Sequence, residues 1–159
     1  ILVSKGYTLG HAGLVVSITG LLGSLVGIAA PHYASSLKNI RTLLFILGLM
    51  VSASFAALIF DSGWRLIIWL LIANIGLSIT FPLSLLLTVT RSIDAGQTRS
   101  LSIMAQSIGY LMAAFAPGIV GAIFDSTLNW SIALLVPVAL GIALAVVGYF
   151  AGKAEKIEI

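Results

Sequence analysis

The chain has 159 residues, of which 60% are hydrophobic and 8% are charged, whereas charged residues make up about 25% of an ordinary globular domain. Its net charge is +3, but the eight Lys and Arg residues are too few and too dispersed for a nucleic-acid-binding surface, so no nucleic-acid partner is expected. Cysteine is absent, which excludes disulfides, thiolate metal ligands and cysteine nucleophiles.

Five runs of about twenty residues contain no Asp, Glu, Lys or Arg. A hydrocarbon core about 30 Å thick is crossed by about twenty apolar residues at 1.5 Å per residue, so each run is long enough to span a membrane. Five such runs in series could hardly be packed inside a soluble domain of this length. The sequence therefore predicts an all-α fold, a polytopic transmembrane helical bundle in the lipid bilayer, with spans at residues 12–31, 43–60, 66–89, 101–124 and 132–150.

The first run is rich in small and hydroxylated residues. Helices associate in lipid through small residues and a few polar contacts, because lipid is as apolar as leucine. Gly23 and Gly27 have a GxxxG spacing, and Gly20 precedes them by about one turn. We expect an inward helix that packs closely against another helix of the same chain, with these three glycines at the contact.

The second run is almost entirely apolar. Its polar side chains are Ser52 and Ser54, whose hydroxyls can bond to carbonyls of their own helix. This pattern predicts a peripheral helix that faces lipid.

The third run carries Asn74 and Ser78, which are four residues apart and so share one helix face. Pro82 follows one turn later, and because proline has no N–H it kinks a helix or frees a carbonyl. We expect a second inward helix, with Asn74 and Ser78 as candidate substrate contacts and Pro82 as a candidate hinge.

The fourth run holds another polar pair four residues apart, Gln106 and Tyr110. Gly109 lies beside them and would admit a ligand or a neighbouring backbone, while Pro117 and Gly121 follow farther along. This pattern predicts a third inward helix. Gln106 and Tyr110 are candidate substrate contacts, and Gly109, Pro117 and Gly121 are candidate packing or hinge residues.

The fifth run has no side chain from Ile132 to Val147 that forms a strong hydrogen bond, which favours a second lipid-facing helix. The connectors before the third and fifth runs both read Ile-Phe-Asp-Ser, at Asp61 and Asp125, and both lead to a tryptophan. Asp and Ser favour turns and caps, and Trp favours the water–lipid interface. Both connectors are therefore predicted to be interfacial corners.

Two interpretations of the neutral polar residues stay open: hydrogen bonds between helices and contacts to a substrate. An amide at membrane depth needs a partner, and an interhelical bond worth about 0.6–2 kcal/mol satisfies that need. No ionisable residue lies inside a span, so no proton relay is visible. His11 and His32 lack metal-ligand spacing, so no metal site is expected, and no cofactor is expected either. No carboxylate, His or Cys lies at membrane depth for acid–base or nucleophilic work, so no catalytic site of an enzyme is expected.

The charges of the connectors predict an orientation. One side of the membrane receives Lys5 and Arg65, and the other receives Lys38, Arg41, Arg91, Arg99, Lys153 and Lys156. Cytoplasmic loops carry the excess of Lys and Arg, so we expect a multi-pass cell-membrane protein with its first residue outside and its last in the cytoplasm. A start at Ile1 on the outer face suggests a fragment that lacks at least one upstream helix.

The fourth run and its flanks resemble a known family. The stretch Met104-Ala105-Gln106-Ser107-Ile108-Gly109-Tyr110-Leu111, followed by Pro117-Gly118, Gly121, Asp125 and Trp130, resembles the eleventh helix of major facilitator superfamily transporters, in particular the cyanate/nitroimidazole permease group. The preceding loop at residues 91–95 is also similar. The resemblance is specific over about 40 residues and architectural over the rest.

This resemblance implies that the five runs are helices eight to twelve of a twelve-helix fold, whose N-terminal half is missing here. It also implies a secondary transporter that moves a small solute, such as cyanate or a nitroimidazole-like compound, by alternating access. The family arrangement places the first, third and fourth runs inward, as the polarity of the runs does. The alternative is a structural membrane subunit or anchor that transports nothing.

Overall fold

The computed structural model describes residues 1–34 and 39–153 of the chain. Over these residues it contains helices and no strand. Five stretches are long and apolar enough to cross a membrane, so the predicted all-α, multi-span fold is confirmed. A 3-10 turn at Val3–Lys5 is followed by α1 (Leu9–Ala34), α2 (Ile40–Phe60), α3 (Arg65–Arg91), α4 (Ala95–Thr127), α5 (Trp130–Ala133) and α6 (Leu135–Ala151), where α5 and α6 form the fifth stretch.

Polar side chains in the connectors begin three of the helices. The Asn39 side-chain amide oxygen accepts from the Thr42 N–H at the start of α2, and the Asp94 carboxylate accepts from the Gln97 N–H at 2.8 Å at the start of α4. At the start of α5, the Asn129 side-chain amide oxygen accepts from the Ser131 N–H at 2.8 Å. These caps satisfy backbone donors that have no partner inside the helix. Lys38 and Lys156, which enter the predicted charge bias, lie outside the described residues.

The fifth stretch is interrupted, whereas the sequence predicts one continuous span. α5 ends at Ala133, and α6 begins at Leu135. Pro137 has no N–H to donate to the Ala133 carbonyl four residues earlier, and its ring crowds that carbonyl. The interruption therefore lies where proline removes the helical hydrogen bond.

The packing of the helices bears on the prediction for the second span. α1 packs on α3, α3 on α2, and α2 on α6, so that α2 lies between two neighbours. Large apolar side chains of α2, among them Ile46 and Leu49, remain exposed, so the peripheral position of this span in a whole transporter stays a prediction. Apolar composition does not separate a lipid-facing helix from a packed one, because both environments accept leucine equally well.

Glycines without a GxxxG spacing bring α2 and α6 together. A Cβ on Gly141 would lie 2.7 Å from the Ser52 Cα, and Gly48 meets the Ala145 backbone equally closely. The Ser52 hydroxyl donates to the Val138 carbonyl oxygen of α6 at 2.9 Å, and not to its own helix as predicted. Ser54 does bond to its own helix, at 2.7 Å from the Met50 carbonyl oxygen.

The two ends of the bundle carry different groups. At one end, here called the Asp61 end, the Lys5 ammonium donates to the Asp61 carbonyl oxygen at 2.6 Å. The Asp61 carboxylate accepts from the Trp69 indole at 2.6 Å and forms an ion pair with Arg65 at 2.8 Å. At the other end, here called the Arg91 end, the Arg91 guanidinium donates to the Gly152 carbonyl oxygen at 3.1 Å.

Candidate functional site

Asn74 on α3 points toward α1. Its side-chain amide donates to the Thr19 hydroxyl at 3.3 Å and to the Leu70 carbonyl oxygen of its own helix at 2.9 Å. A Cβ on Gly23 of α1 would lie 2.9 Å from the Asn74 carbonyl oxygen and 3.0 Å from the Ser78 hydroxyl oxygen. The Asn74 amide therefore bonds once across the contact between α1 and α3 and once within α3.

Pro82 acts on the same contact through the backbone. Because it lacks an N–H, the Ser78 carbonyl four residues earlier has no regular helical partner. That carbonyl oxygen is the atom nearest to the position that a Cβ on Gly27 would occupy. α3 nevertheless continues through Pro82 from Arg65 to Arg91. A glycine at position 27 therefore lets α1 approach the carbonyl that proline leaves unpaired.

A shallow groove opens beside this contact. Its volume is about 400 Å³, and we refer to it as the α1 groove. The Ser24 hydroxyl on its wall is already bonded to the Gly20 carbonyl oxygen at 2.9 Å. Ser78 is therefore the member of the predicted polar set that reaches this space. The groove is lined by Ser24, Gly27, Ile28, Leu77, Ser78, Phe81 and Pro82.

A second groove of about 320 Å³, the α4 groove, separates α3 from α4. Gln106 is half-buried on its wall, and Tyr110 has 60% of its surface exposed. Neither side chain makes a hydrogen bond to any residue in 1–34 or 39–153. Their donors and acceptors are therefore available to a solute. The groove is lined by Phe81, Ser84, Leu85, Thr88, Ala105, Gln106, Gly109, Tyr110 and Ala113.

The two grooves share Phe81, which has 50% of its surface exposed. Three of the four predicted contact residues line a groove: Ser78 lines the α1 groove, and Gln106 and Tyr110 line the α4 groove. Asn74 lines neither. The Thr88 and Ser102 hydroxyls, 2.9 Å apart, join α3 and α4 near the Arg91 end of the α4 groove.

Sequence reasoning missed three groove residues: Phe81, Ser84 and Thr88. A signal was present, because Ser84 and Thr88 are four residues apart and repeat the spacing of Asn74 and Ser78. Phe81 gives no signal of its own, since an aromatic residue inside an apolar run is equally compatible with lipid.

The predicted packing and hinge residues have different surroundings. Gly23 and Gly27 lie against α3, whereas a Cβ at Gly20, Gly109 or Gly121 would meet no atom within 4 Å among the described residues. α4, which carries Pro117 in its interior, has no buried residue. The packing roles of Gly20, Gly109, Pro117 and Gly121 stay predictions that concern partners outside this part of the chain.

No Asp, Glu, Lys, Arg or His side chain lines either groove. Their walls combine aromatic rings, hydroxyls and one carboxamide, a mixture that binds small solutes through stacking and neutral hydrogen bonds. The described residues thus define a multi-pass helical membrane protein with two neutral grooves that are large enough for a small molecule.

Comparison with known proteins gives the family. The chain is 32% identical to the 2-nitroimidazole transporter of Escherichia coli and 32% identical to YycB, an uncharacterised transporter of Bacillus subtilis, over 99% of its length in each case. It is also 34% identical, over 57% of its length, to a candidate anionic 4-hydroxy-benzoate permease of Thauera aromatica, of which it covers 56%. No family model and no solved structure matches the chain.

The resemblance to the nitroimidazole permease group is thereby confirmed, since the chain is similar over nearly its whole length to two proteins that are named as transporters. It spans 40% of the length of the Escherichia coli protein and 39% of the length of YycB.

Proposed function

We propose that this chain is part of a secondary transporter that moves a small, planar, polar solute across the cytoplasmic membrane. The α4 groove carries the proposal, because Gln106 and Tyr110 present polar groups there that bond to no described residue, beside the ring of Phe81. The names of the relatives support it, since all three are named as transporters or permeases. No enzymatic step is part of the proposal.

The proposed class of solute rests on two observations: the side chains that line the grooves, and the solutes that appear in the names of the relatives. A nitroimidazole and a hydroxybenzoate are both flat rings with polar substituents, which aromatic side chains stack against and amides and hydroxyls orient. Phe81 and Tyr110 would stack on the ring, and Gln106 would bond its substituent. An anion such as cyanate or hydroxybenzoate would need a cation from outside these grooves, since none of the lining residues carries one.

The proposal includes a second set of helices that covers α4 and the two grooves. α4 has no buried residue, and its glycines meet no described neighbour. In the proposed arrangement, these spans are helices eight to twelve of a twelve-helix transporter, and the missing N-terminal half closes the grooves during alternating access. Five of twelve helices is close to the 40% of the Escherichia coli relative that the chain spans.

In the proposed orientation the Arg91 end faces the cytoplasm. Arg41, Arg91, Arg99 and Lys153 lie near the ends of α2, α3 and α4 or just after α6, at the Arg91 end. Lys5 and Arg65 lie at the Asp61 end. The excess of basic residues on one side supports this orientation.

Uptake of labelled 2-nitroimidazole by the full-length transporter in proteoliposomes tests the proposal. We expect Gln106→Ala to raise KM about two- to tenfold, the effect of one lost hydrogen bond. Ser107→Ala is the matched control, since Ser107 is the next residue on α4 and lines neither groove. Unchanged uptake by Gln106→Ala and by Tyr110→Phe would remove the α4 groove as the site.

The alternative, a structural subunit or anchor, is favoured by one observation: the Asn74 amide bonds within the chain, to Thr19 and Leu70. We therefore expect Asn74→Ala to lower stability and to leave KM unchanged. If no solute of this class is taken up while the protein remains folded in the membrane, the alternative replaces the transporter.

A further inference from the structure

The Arg91 end contains a group of cations without a carboxylate partner. Arg91, Arg41 and Lys153 have no Asp or Glu within salt-bridge distance among the described residues, where the ion pair found is that of Arg65 with Asp61. The nearby acid Asp94 caps α4 through the Gln97 N–H. The charge of these three residues is therefore not neutralised by the described part of the chain.

Two of the cations converge on Gly152 at the end of α6. Arg91 donates to the Gly152 carbonyl oxygen at 3.1 Å, and the Arg41 Cα lies 2.5 Å from where a Cβ on Gly152 would be. The Arg41 guanidinium also lies 3.7 Å from the centre of the Tyr149 ring. Because position 152 is a glycine, the backbone there can lie close to Arg41 and can accept a hydrogen bond from Arg91. Both arginines are therefore placed beside the end of α6.

Both arginines keep a donor that is buried and unused. The Nε atoms of Arg41 and Arg91 are inaccessible to solvent and donate no hydrogen bond to the described residues. A buried donor without an acceptor costs about 1–3 kcal/mol, and more when it is charged. An anion bound at this point would supply acceptors to such donors and neutralise their charge.

A cleft of about 460 Å³ leads to Arg91 and Lys153 from between α3, α4 and α6. Apart from these cations and the hydroxyls of Ser84 and Thr88, its walls are apolar. We call it the basic cleft; it is lined chiefly by Leu87, Thr88, Arg91, Met104, Phe150 and Lys153. A cleft whose walls combine two cations with apolar side chains fits an anionic amphiphile better than a small inorganic ion.

We propose that the basic cleft binds an anionic phospholipid. The phosphate head group lies against Arg91 and Lys153, with Arg41 adding positive charge nearby, and an acyl chain lies along Leu87, Met104 and Phe150. The position fits, because α3 and α6 both end here and the ends of membrane-spanning helices lie at head-group depth. The basic cleft adjoins the α4 groove, with which it shares Ser84, Thr88 and Ala105, but Arg91 and Lys153 line the cleft alone. The proposed head-group site at these cations does not depend on which solute is transported.

Native mass spectrometry of the full-length protein in detergent tests the proposal, with dioleoyl phosphatidylglycerol as the probe and dioleoyl phosphatidylcholine as the neutral lipid. We expect the protein to retain the anionic phosphatidylglycerol in preference to the neutral phosphatidylcholine. Each basic residue near a membrane surface contributes roughly a fivefold change in affinity for anionic lipid. Lys153→Gln should therefore weaken lipid binding roughly fivefold. The double variant that carries both Arg91→Gln and Lys153→Gln should weaken it more strongly.

Arg99→Gln is the matched control, because it removes the same charge from an exposed residue that does not line the cleft. Lys153 is exposed, so its variant tests the site even if the Arg91 variant fails to fold. Equal retention of the two lipids would overturn the proposal. An equal effect of Arg99→Gln and Lys153→Gln, or displacement of the lipid by millimolar inorganic phosphate, would overturn it as well.

Discussion

The Ser52 hydroxyl of α2 donates to the Val138 carbonyl oxygen of α6 at 2.9 Å. At this contact the two helices approach so closely that position 141 has no room for a Cβ. This bond joins the two spans whose sequences are the most uniformly apolar. Polar contacts between helices in lipid are worth about 0.6–2 kcal/mol each.

Ser52→Ala is expected to lower the free energy of unfolding by about 1 kcal/mol, because the interhelical bond is lost. Ser54→Ala is the matched control. Ser54 is also on α2 and is fully buried, but its hydroxyl bonds to the Met50 carbonyl oxygen of the same helix. Unfolding in mixed detergent micelles measures both variants. A larger loss for Ser54→Ala would contradict the assigned bond.

Gly27→Ala is expected to destabilise the protein by about 1–3 kcal/mol, as overpacking does. The new methyl group would meet the Ser78 backbone, which cannot move as a flexible side chain can. Gly20→Ala makes the same change on the same helix where nothing lies within 4 Å, and alanine favours the helix. Thermal unfolding in detergent should therefore separate the two variants; equal midpoints would rule out the close contact of α1 with α3.

Asp61→Ala is expected to cost about 1–3 kcal/mol, because it leaves the Trp69 indole N–H without its acceptor and removes the ion pair with Arg65. Asp125→Ala is the control within the repeated Ile-Phe-Asp-Ser sequence, since Asp125 is exposed and bonds to no described residue. Chemical unfolding followed by tryptophan fluorescence compares them. A similar loss for both would mean that the Asp61 contacts contribute nothing particular.

The number of spans could be predicted because the bilayer imposes a length on every crossing helix. The neighbours of each helix could not be predicted from the sequence, because leucine and alanine are equally compatible with lipid and with a packed helix. Gly48, Gly141 and Gly148 hold α2 against α6, yet they stand in runs whose polarity indicates lipid. The interruption at Leu134 was readable in principle, from Pro137.

The candidate site was predictable in part for a similar reason. A helical spacing of four places Gln106 with Tyr110 on one face, and both line the α4 groove. The same spacing applies to Asn74 and Ser78, but the Asn74 amide is taken up by Thr19. Which partner an amide finds depends on the neighbouring helix, and the sequence of one helix does not contain that information.

α4 differs mechanically from the rest of the bundle. Glycine contacts lock α1 to α3 and α2 to α6, so sliding either pair drives backbone into backbone. α4 has no buried residue and is joined to α3, among the described side chains, by the hydroxyl pair of Thr88 and Ser102. The four helices α1, α2, α3 and α6 are thus held together by close packing, whereas α4 is held by few contacts. A small force on the bundle would therefore shift α4 before it shifts the other helices.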